Sequence, residues 1–224
     1  GIAGMEAARV LKLRGYDVTL YEAGTELGGN IIPGSVPDFK FDDRRLLDYY
    51  RHQMDCLEIK VKMQTGVTAD MIRKAKADVV ILATGATIRT LHVPCADESK
   101  MANAVEILLG QKKCGQKVLM VGGGLVGCET GLWLAQQGKD VTVIEMLDSI
   151  LISGKPIPHM NRDMLMNLMK QANVKIMEST SLIEVTKEGA VVIDKNFCKQ
   201  MIPADTIIAA TGFSANNQLF RELY

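Results

Sequence analysis

An α/β fold in which one supersecondary unit is built twice is what the 224 residues predict, and three observations carry the prediction. The chain is similar to itself at an interval near 125 residues. Each copy alternates β-branched strands with helices. Each also sets closely spaced glycines at the start of a helix, the pattern of a parallel βαβ unit.

The repeat is explicit. Shifted by 123 positions, residues 1–23 overlay residues 124–146 with nine identities: Gly1, Gly4, Glu6, Leu11, Gly15, Asp17, Val18, Thr19 and Glu22. A second pair, ADVVILATG at 77–85 and ADTIIAATG at 204–212, shares six residues of nine at an offset of 127. A period this long describes two related domains and not a solenoid.

The elements follow in order. In the second copy, residues 117–121 (KVLMV) form a short apolar strand, 125–137 a helix and 140–145 (DVTVIE) a β-branched strand. Gly138 there, and Gly15 in the first copy, stand where a helix C-terminus needs a left-handed residue. A third strand is expected at 59–63 and at 174–177, each after a helix, 42–56 and 161–172. Residues 181–194 are strand-like around Glu188-Gly189, a hairpin signal. Residues 91–100, with Pro94 and clustered charge, are the expected crossover between domains.

Composition narrows the function. Apolar residues make up 47% and charged residues 23%, which sets aside collagen-like, disordered and coiled-coil chains. The 26 basic and 26 acidic residues balance without a basic face, against nucleic acid or an anionic membrane as partner. No apolar run approaches the roughly 20 residues of a membrane span. Cys56, Cys95, Cys114, Cys128 and Cys198 are odd in number and lack CxxC spacing, which disfavours a disulfide framework, a zinc site and a CxxC redox pair. No metal ligands are expected, and the compartment expected is the cytoplasm.

Gly122-Gly123-Gly124-Leu125-Val126-Gly127 matches GxGxxG between a strand and a helix. Gly122 permits the tight turn, Gly124 lets backbone approach a pyrophosphate, and Gly127 allows close helix-to-strand packing. The helix N-terminus offers free amides and the positive end of its dipole to phosphates. Glu145, 18 residues after Gly127, ends the next strand, where an acid accepts from an adenine-ribose 2′-hydroxyl. It would repel a 2′-phosphate, and no Arg follows in Met146-Leu147-Asp148, so NADH is favoured over NADPH. In the first copy Gly1 and Gly4 overlay Gly124 and Gly127, and Glu22 repeats the acid, followed by Ala23 and the turn Leu27-Gly28-Gly29. The chain opens inside a glycine fingerprint and is expected to be a piece of a longer protein.

Two nucleotide-binding repeats, the LGG turn and two ATG strand ends, Ala83-Thr84-Gly85 and Ala210-Thr211-Gly212, together resemble the flavoproteins with two dinucleotide-binding domains related to glutathione reductase. The resemblance covers essentially the whole chain. It implies two Rossmann-like domains, an NAD(P)H domain at 98–212 inserted into an FAD domain at 1–97 plus 213–224. It adds Val67 and the two ATG ends to the cofactor contacts, with Leu125, Val126 and Met146 in the second site. In detail the sequence looks most like the C-terminal region of multidomain reductases with an old-yellow-enzyme barrel in front: 2-enoate and 2,4-dienoyl-CoA reductases and trimethylamine dehydrogenase.

Three departures matter. The disulfide-reductase members carry a CxxxxC pair that is missing here, so dithiol chemistry is not expected. The barrel, with its FMN and 4Fe–4S cluster, and the family's closing Gly-Asp strand end lie outside these residues, and a chain cut at both ends of its FAD domain is expected to hold FAD poorly.

Glu129 lies in the first turn of the second helix, where the resemblance places an acid near the nicotinamide, although an acid there also complements the helix dipole. Arg44 and Arg45 read as solvated in preference to a reach toward flavin or a phosphate, His52 and His92 as surface residues, His159 as following a Pro-rich loop within reach of a ligand but not assigned to one, and Met160, Met164, Met166, Met169 and Trp133 as core packing. No cysteine is expected to be an activated nucleophile, although Lys113 precedes Cys114 and Lys199 follows Cys198. The reading is an electron-input module, with hydride passing from NADH to FAD and, by resemblance, electrons passing on to a barrel that reduces an enoate or enoyl substrate. Against it stand a structural module that holds only ADP, as in the trimethylamine dehydrogenase branch, and a free-standing NADH:acceptor oxidoreductase. Dinucleotides and the preceding barrel are the expected partners, and a homo-oligomer is compatible with this reading.

Overall fold

A computed structural model describes residues 1–154 and 156–224. The chain forms two compact units, Gly1–Thr87 with Ser214–Tyr224, and Ile88–Phe213.

In the first unit α1 (Ile2–Leu13) leads through β1 (Thr19–Tyr21), α2 (Ile31–Gly34) and α3 (Phe41–Cys56) to β2 (Lys60–Lys62) and α4 (Ala69–Ala75). Strands β1 and β2 pair in parallel, Leu20 opposite Val61. The core sets Met5 and Ala8 of α1 against Leu47 and Met54 of α3, with Ile59 beneath. These positions recur at helical spacing, so burying them fixes which faces of α1 and α3 meet.

One expectation fails here. Residues 79–83 form no strand, although they repeat the sequence of one in the second unit, and Val79 is 75% exposed. A strand needs a ladder partner for its amides. Among the described residues no strand pairs with 79–83.

The chain continues through β3 (Ala86–Ile88), β4 (Met101–Asn103), α5 (Ala104–Leu108), β5 (Lys117–Val121), α6 (Leu125–Gln136), β6 (Asp140–Ile144), α7 (His159–Gln171), β7 (Lys175–Met177), β8 (Thr180–Val185), β9 (Gly189–Asp194), β10 (Lys199–Pro203), β11 (Thr206–Ala209) and β12 (Phe213–Ala215) to α8 (Gln218–Leu223). A five-stranded parallel sheet in the order β4-β11-β5-β6-β7 forms the middle layer of the second unit. The β-strand period of two separates its faces. Val118 and Met120 point to one core, shared with Cys128, Leu132 and Met169 from the helices, while Leu119 and Val121 point to another, shared with Val185, Val192 and Ile202. That second core is closed by the antiparallel sheet β10-β9-β8, whose hairpin turns at Glu188-Gly189 as expected. Leu119 and Ile207 are fully buried, and side chains of this kind contribute about 1.5–3 kcal/mol each.

Residues 88–97 lie with the second unit and not at the end of the first domain, where the sequence sets them. The reason is packing. Leu91, Val93 and Cys95 lean on the second core, and the Val185 amide donates to the Pro94 carbonyl at 2.9 Å. The methionine run divides as well. Met169 is fully buried and Met166 half-buried, but Met160 and Met164 are exposed because α7 turns that face outward. Trp133 packs against the core as expected. Strand β10 escapes sequence reading because KQMIP lacks a clear alternation.

Candidate nucleotide sites

In the second unit the glycine loop leaves the C-terminal end of β5, at the centre of the parallel sheet, and enters α6 with Gly124 as N-cap. Each glycine answers to a different neighbour. Gly122 has φ +112°, and a Cβ there would stand 2.5 Å from the Ala210 carbonyl oxygen. A Cβ on Gly123 would meet Ile150 Cγ2 at 2.5 Å and Glu145 Cβ at 3.0 Å. One on Gly127 would run into the Gly122 carbonyl. The fold therefore forbids a side chain at these three positions. Gly124 differs: its φ is −72°, and the one atom near a Cβ there is Ser153 Oγ at 3.2 Å, on an exposed loop. Neither backbone nor packing requires glycine at 124, and the first helical amides, of Leu125, Val126 and Gly127, precede the first hydrogen bond of the helix, from Cys128 to Gly124 at 3.0 Å.

Glu145 follows the last residue of β6 and is buried, 6% exposed. Its Oε2 accepts from the Gly123 amide at 2.6 Å and its Oε1 from the Leu147 amide at 2.9 Å. An ionised carboxylate has about four acceptor positions, so two remain. The Gly123 carbonyl accepts in turn from the Leu151 amide at 2.8 Å and from the Cys128 thiol at 3.3 Å. Gly123 is thus held from both sides, a role the GxGxxG pattern leaves open at its second position. The run of three glycines was the available signal. Ala210 is buried at the loop, Thr211 is half-buried and Gly212 exposed, while Met146 is 72% exposed beside the acid, Leu125 is exposed and Val126 half-buried. Glu129 is half-buried on the first turn of α6 and interacts within the chain.

The first unit repeats much of this. Gly4 faces Ala83 as Gly127 faces Ala210, their Cβ positions 3.4 and 3.3 Å away. Glu22 Oε1 accepts from the Gly24 amide at 2.9 Å, matching Glu145 and Leu147. Gly1 and Gly29 come together, since a Cβ on Gly29 would lie 3.1 Å from Gly1 Cα. Gly28 is buried, and a side chain there would strike Ile32 and Leu47, so packing already demands it. Ala23 is exposed near the acid, and Leu27 and Val67 are half-buried. Thr84 and Gly85 are exposed, and the Thr84 hydroxyl donates to the Asn216 carbonyl at 2.8 Å while Asn216 Nδ2 donates to the Thr84 carbonyl at 3.0 Å.

Two arginines organise the loops here. Arg44 is not solvated: its guanidinium donates to the carbonyls of Ser35 at 2.5 Å and Pro37 at 3.1 Å, a planar fork that fits converging carbonyls. Arg51 donates to the Leu27 carbonyl at 2.6 Å and pairs with Glu26 at 2.8 Å, pinning the LGG turn. Arg45 stays exposed, paired with Asp42. Glu6, the counterpart of Glu129, is held below its ordinary range by the Arg9 guanidinium hydrogen-bonded to it at 2.7 Å.

All five cysteines are free thiols, and no group of three metal-ligating side chains occurs among the described residues. No helix among them is long and apolar enough to cross a membrane. Burial pushes the Cys128 thiol up to about 12, assisted by Glu145 and Glu129. Cys56 departs from the sequence reading, since His52, one helical turn earlier on α3, places Nε2 3.2 Å from its Sγ. Adjacency in sequence misses a pair made by i,i+4 spacing.

Known proteins resemble the chain along its whole length. A cinnamate reductase from Clostridium sporogenes is 44% identical across the whole chain, and an NADH oxidase from Thermoanaerobacter brockii is 32% identical, also across the whole chain. The structure of a 2-naphthoyl-CoA reductase in complex with 2-naphthoyl-CoA superimposes on the full chain with a TM-score of 0.91 at 31% identity. A histamine dehydrogenase from Rhizobium shares the fold, TM-score 0.83 at 20% identity. The chain spans about a third of each relative, 33% of the first, 35% of the second and 34% of the naphthoyl-CoA reductase. The model of the pyridine nucleotide-disulphide oxidoreductases matches residues 1–224, and the chain, α/β with Rossmann-like nucleotide-binding units, belongs to that family of oxidoreductases.

Proposed function

We propose that the second unit binds NADH and the first FAD, forming the electron-input module of an NADH-dependent flavin oxidoreductase. One observation carries this reading. Of the four glycines at the β5–α6 turn, Gly124 alone is required neither by its φ nor by packing, yet it lies at the helix end whose amides have no helical acceptor. A pyrophosphate fits that space, accepting from amides that a helix leaves free and drawn by the positive end of the helix dipole. The cradle suits the cofactor because a side chain at 124 would meet only Ser153 in the protein but would fill the place of a phosphate.

The residues divide the work. Gly122, Gly123 and Gly127 shape the loop, and Glu145 fixes it while keeping acceptor capacity for a ribose hydroxyl. With no cation directly after Glu145 in sequence, a 2′-phosphate would face a carboxylate alone, which supports NADH over NADPH. In the first unit Gly1 is the counterpart of Gly124: a Cβ there would make only ordinary contacts, 3.7 Å from the Gly28 carbonyl oxygen. When bound, the nicotinamide supplies a hydride and the flavin accepts it, so the chain needs no general acid or base of its own. Glu129 is assigned to orient the nicotinamide.

The relatives extend the reading. Two are named for the reduction of cinnamate, an unsaturated acid, and of 2-naphthoyl-CoA, an aromatic thioester. Electrons leaving the FAD are accordingly assigned to FMN and an iron–sulfur cluster in a preceding barrel that reduces a substrate of this kind. The test is to incubate the protein with FAD, remove the unbound flavin and add NADH anaerobically. Bleaching of the flavin's visible absorption, faster with NADH than with NADPH, is expected; a colourless protein that retains ADP and shows no such change would overturn the proposal.

A further inference from the structure

The loop that follows Glu145 is held in a conformation that its own sequence does not favour. Leu151 has φ +60°, a left-handed backbone that a bulky side chain adopts only when its surroundings impose it. Here they do: Ile150 is fully buried and Leu151 nearly so. The Leu151 amide is tied to the Gly123 carbonyl at 2.8 Å, the Ile150 amide to Glu178 Oε1 at 3.0 Å and the Leu147 amide to Glu145. The strained turn delivers the next polar residue to one place. Ser153 Oγ stands 3.2 Å from the point where a Cβ on Gly124 would lie, the one described heavy atom within 4 Å of it. Ser153 is itself exposed, and its hydroxyl makes no hydrogen bond among the described residues.

We propose that Ser153 is a ligand of the NADH pyrophosphate, donating its hydroxyl into the cradle at Gly124. The inference rests on the reading of that loop as a pyrophosphate site. A group entering the space at Gly124 comes within hydrogen-bonding distance of this oxygen, and a hydroxyl facing a phosphate makes a charge-assisted bond of the stronger kind. The arrangement also gives the strain at Leu151 a use, because backbone held in a costly region persists where a site depends on it. Sequence patterns miss Ser153, since it lies 26 residues beyond Gly127 in a loop of no fixed motif.

The test measures the NADH dissociation constant and thermal stability of the protein in four forms: unaltered, Ser153→Ala, Ser153→Thr and Gly124→Val. Ser153→Ala is expected to weaken NADH about tenfold at unchanged melting temperature, the loss of one hydrogen bond to a charged group. Ser153→Thr, which keeps the hydroxyl, restores affinity to within about threefold by the same arithmetic. Unchanged affinity in Ser153→Ala while Gly124→Val has lost NADH overturns the role of Ser153 and leaves the site standing. Equal losses in the Ala and Thr variants also overturn it, since the hydroxyl is then not the cause. Full affinity in Gly124→Val removes the pyrophosphate site and the inference with it.

Discussion

The Gly123 amide donates to Oε2 of Glu145 at 2.6 Å, so the acid that ends β6 is part of the glycine loop before any nucleotide arrives. With the Leu147 amide on its other oxygen, the carboxylate joins the loop after β5 to the loop after β6. Removing it leaves two amides without an acceptor, each costing about 1–3 kcal/mol when buried. Glu145→Ala should therefore lower unfolding stability by about 1–3 kcal/mol for the buried Gly123 amide, and by less for the part-buried Leu147 amide. It should also weaken NADH more than NADPH. Denaturant melts and parallel titrations with both nucleotides check the two effects; an unchanged NADH preference would refute the ribose role and leave the structural one.

The glycines should part into two classes. Gly123→Ala places a methyl 2.5 Å from Ile150 Cγ2 in a filled core, an overpacking that costs about 1–3 kcal/mol. Gly124→Ala meets only the exposed Ser153 hydroxyl and should leave stability unchanged to within about 0.5 kcal/mol, the usual range for a surface substitution, while removing most NADH affinity. Chemical denaturation alongside NADH titration separates them. If both variants lose stability alike, the cradle at Gly124 is a packing feature and not a ligand space.

Thiol reactivity should follow geometry. Cys56 and Cys198 are exposed, and of the two only Cys56 has an imidazole nitrogen close to its sulfur, at 3.2 Å. Cys128 is buried with its thiol pushed up to about 12, so at pH 8 about one molecule in ten thousand carries the thiolate. Iodoacetamide, followed by peptide mass mapping, should label Cys56 first, Cys198 more slowly, and Cys128 only after denaturation. His52→Ala should slow labelling at Cys56 and not at Cys198. Equal slowing at both would show that the imidazole is not the reason.

Much of this was legible in the residues, and the exceptions have a common cause. Strand β5, the glycine loop, α6, β6 and Glu145 are written within thirty or so consecutive residues, where periodicity and glycine placement decide the outcome. Residues 77–85 share six of nine letters with 204–212, yet 79–83 form no strand where β11 does, because a strand is made by its neighbours. The demand for glycine at 123 comes from Ile150, which only the tertiary fold brings close. Arg44 is drawn off the solvent by carbonyls of a loop whose path no local pattern records. Local pattern fixes elements, and contacts distant in sequence assign their tasks.

Asp205 offers a test of such a contact that is independent of any cofactor. Its carboxylate accepts from the amides of Lys117 at 2.8 Å and Gln116 at 3.0 Å, tying the turn before β11 to the start of β5. These backbone donors hold Asp205 below the ordinary carboxylate range, with help from the Lys100 and Lys117 charges. A carboxyl whose folded value is depressed binds its proton more readily in the unfolded chain, so it stabilises the fold above its ordinary value, and that contribution is lost as pH falls through the folded one. Asp205→Asn keeps the shape and removes the charge. The variant should melt below the unaltered protein at pH 7, and the gap should narrow as pH falls below the ordinary aspartate value of about 3.9 and through the depressed folded one. Melting curves of both proteins across that range give the answer, and a gap that stays constant would show that charge on Asp205 contributes nothing to the joint between β11 and β5.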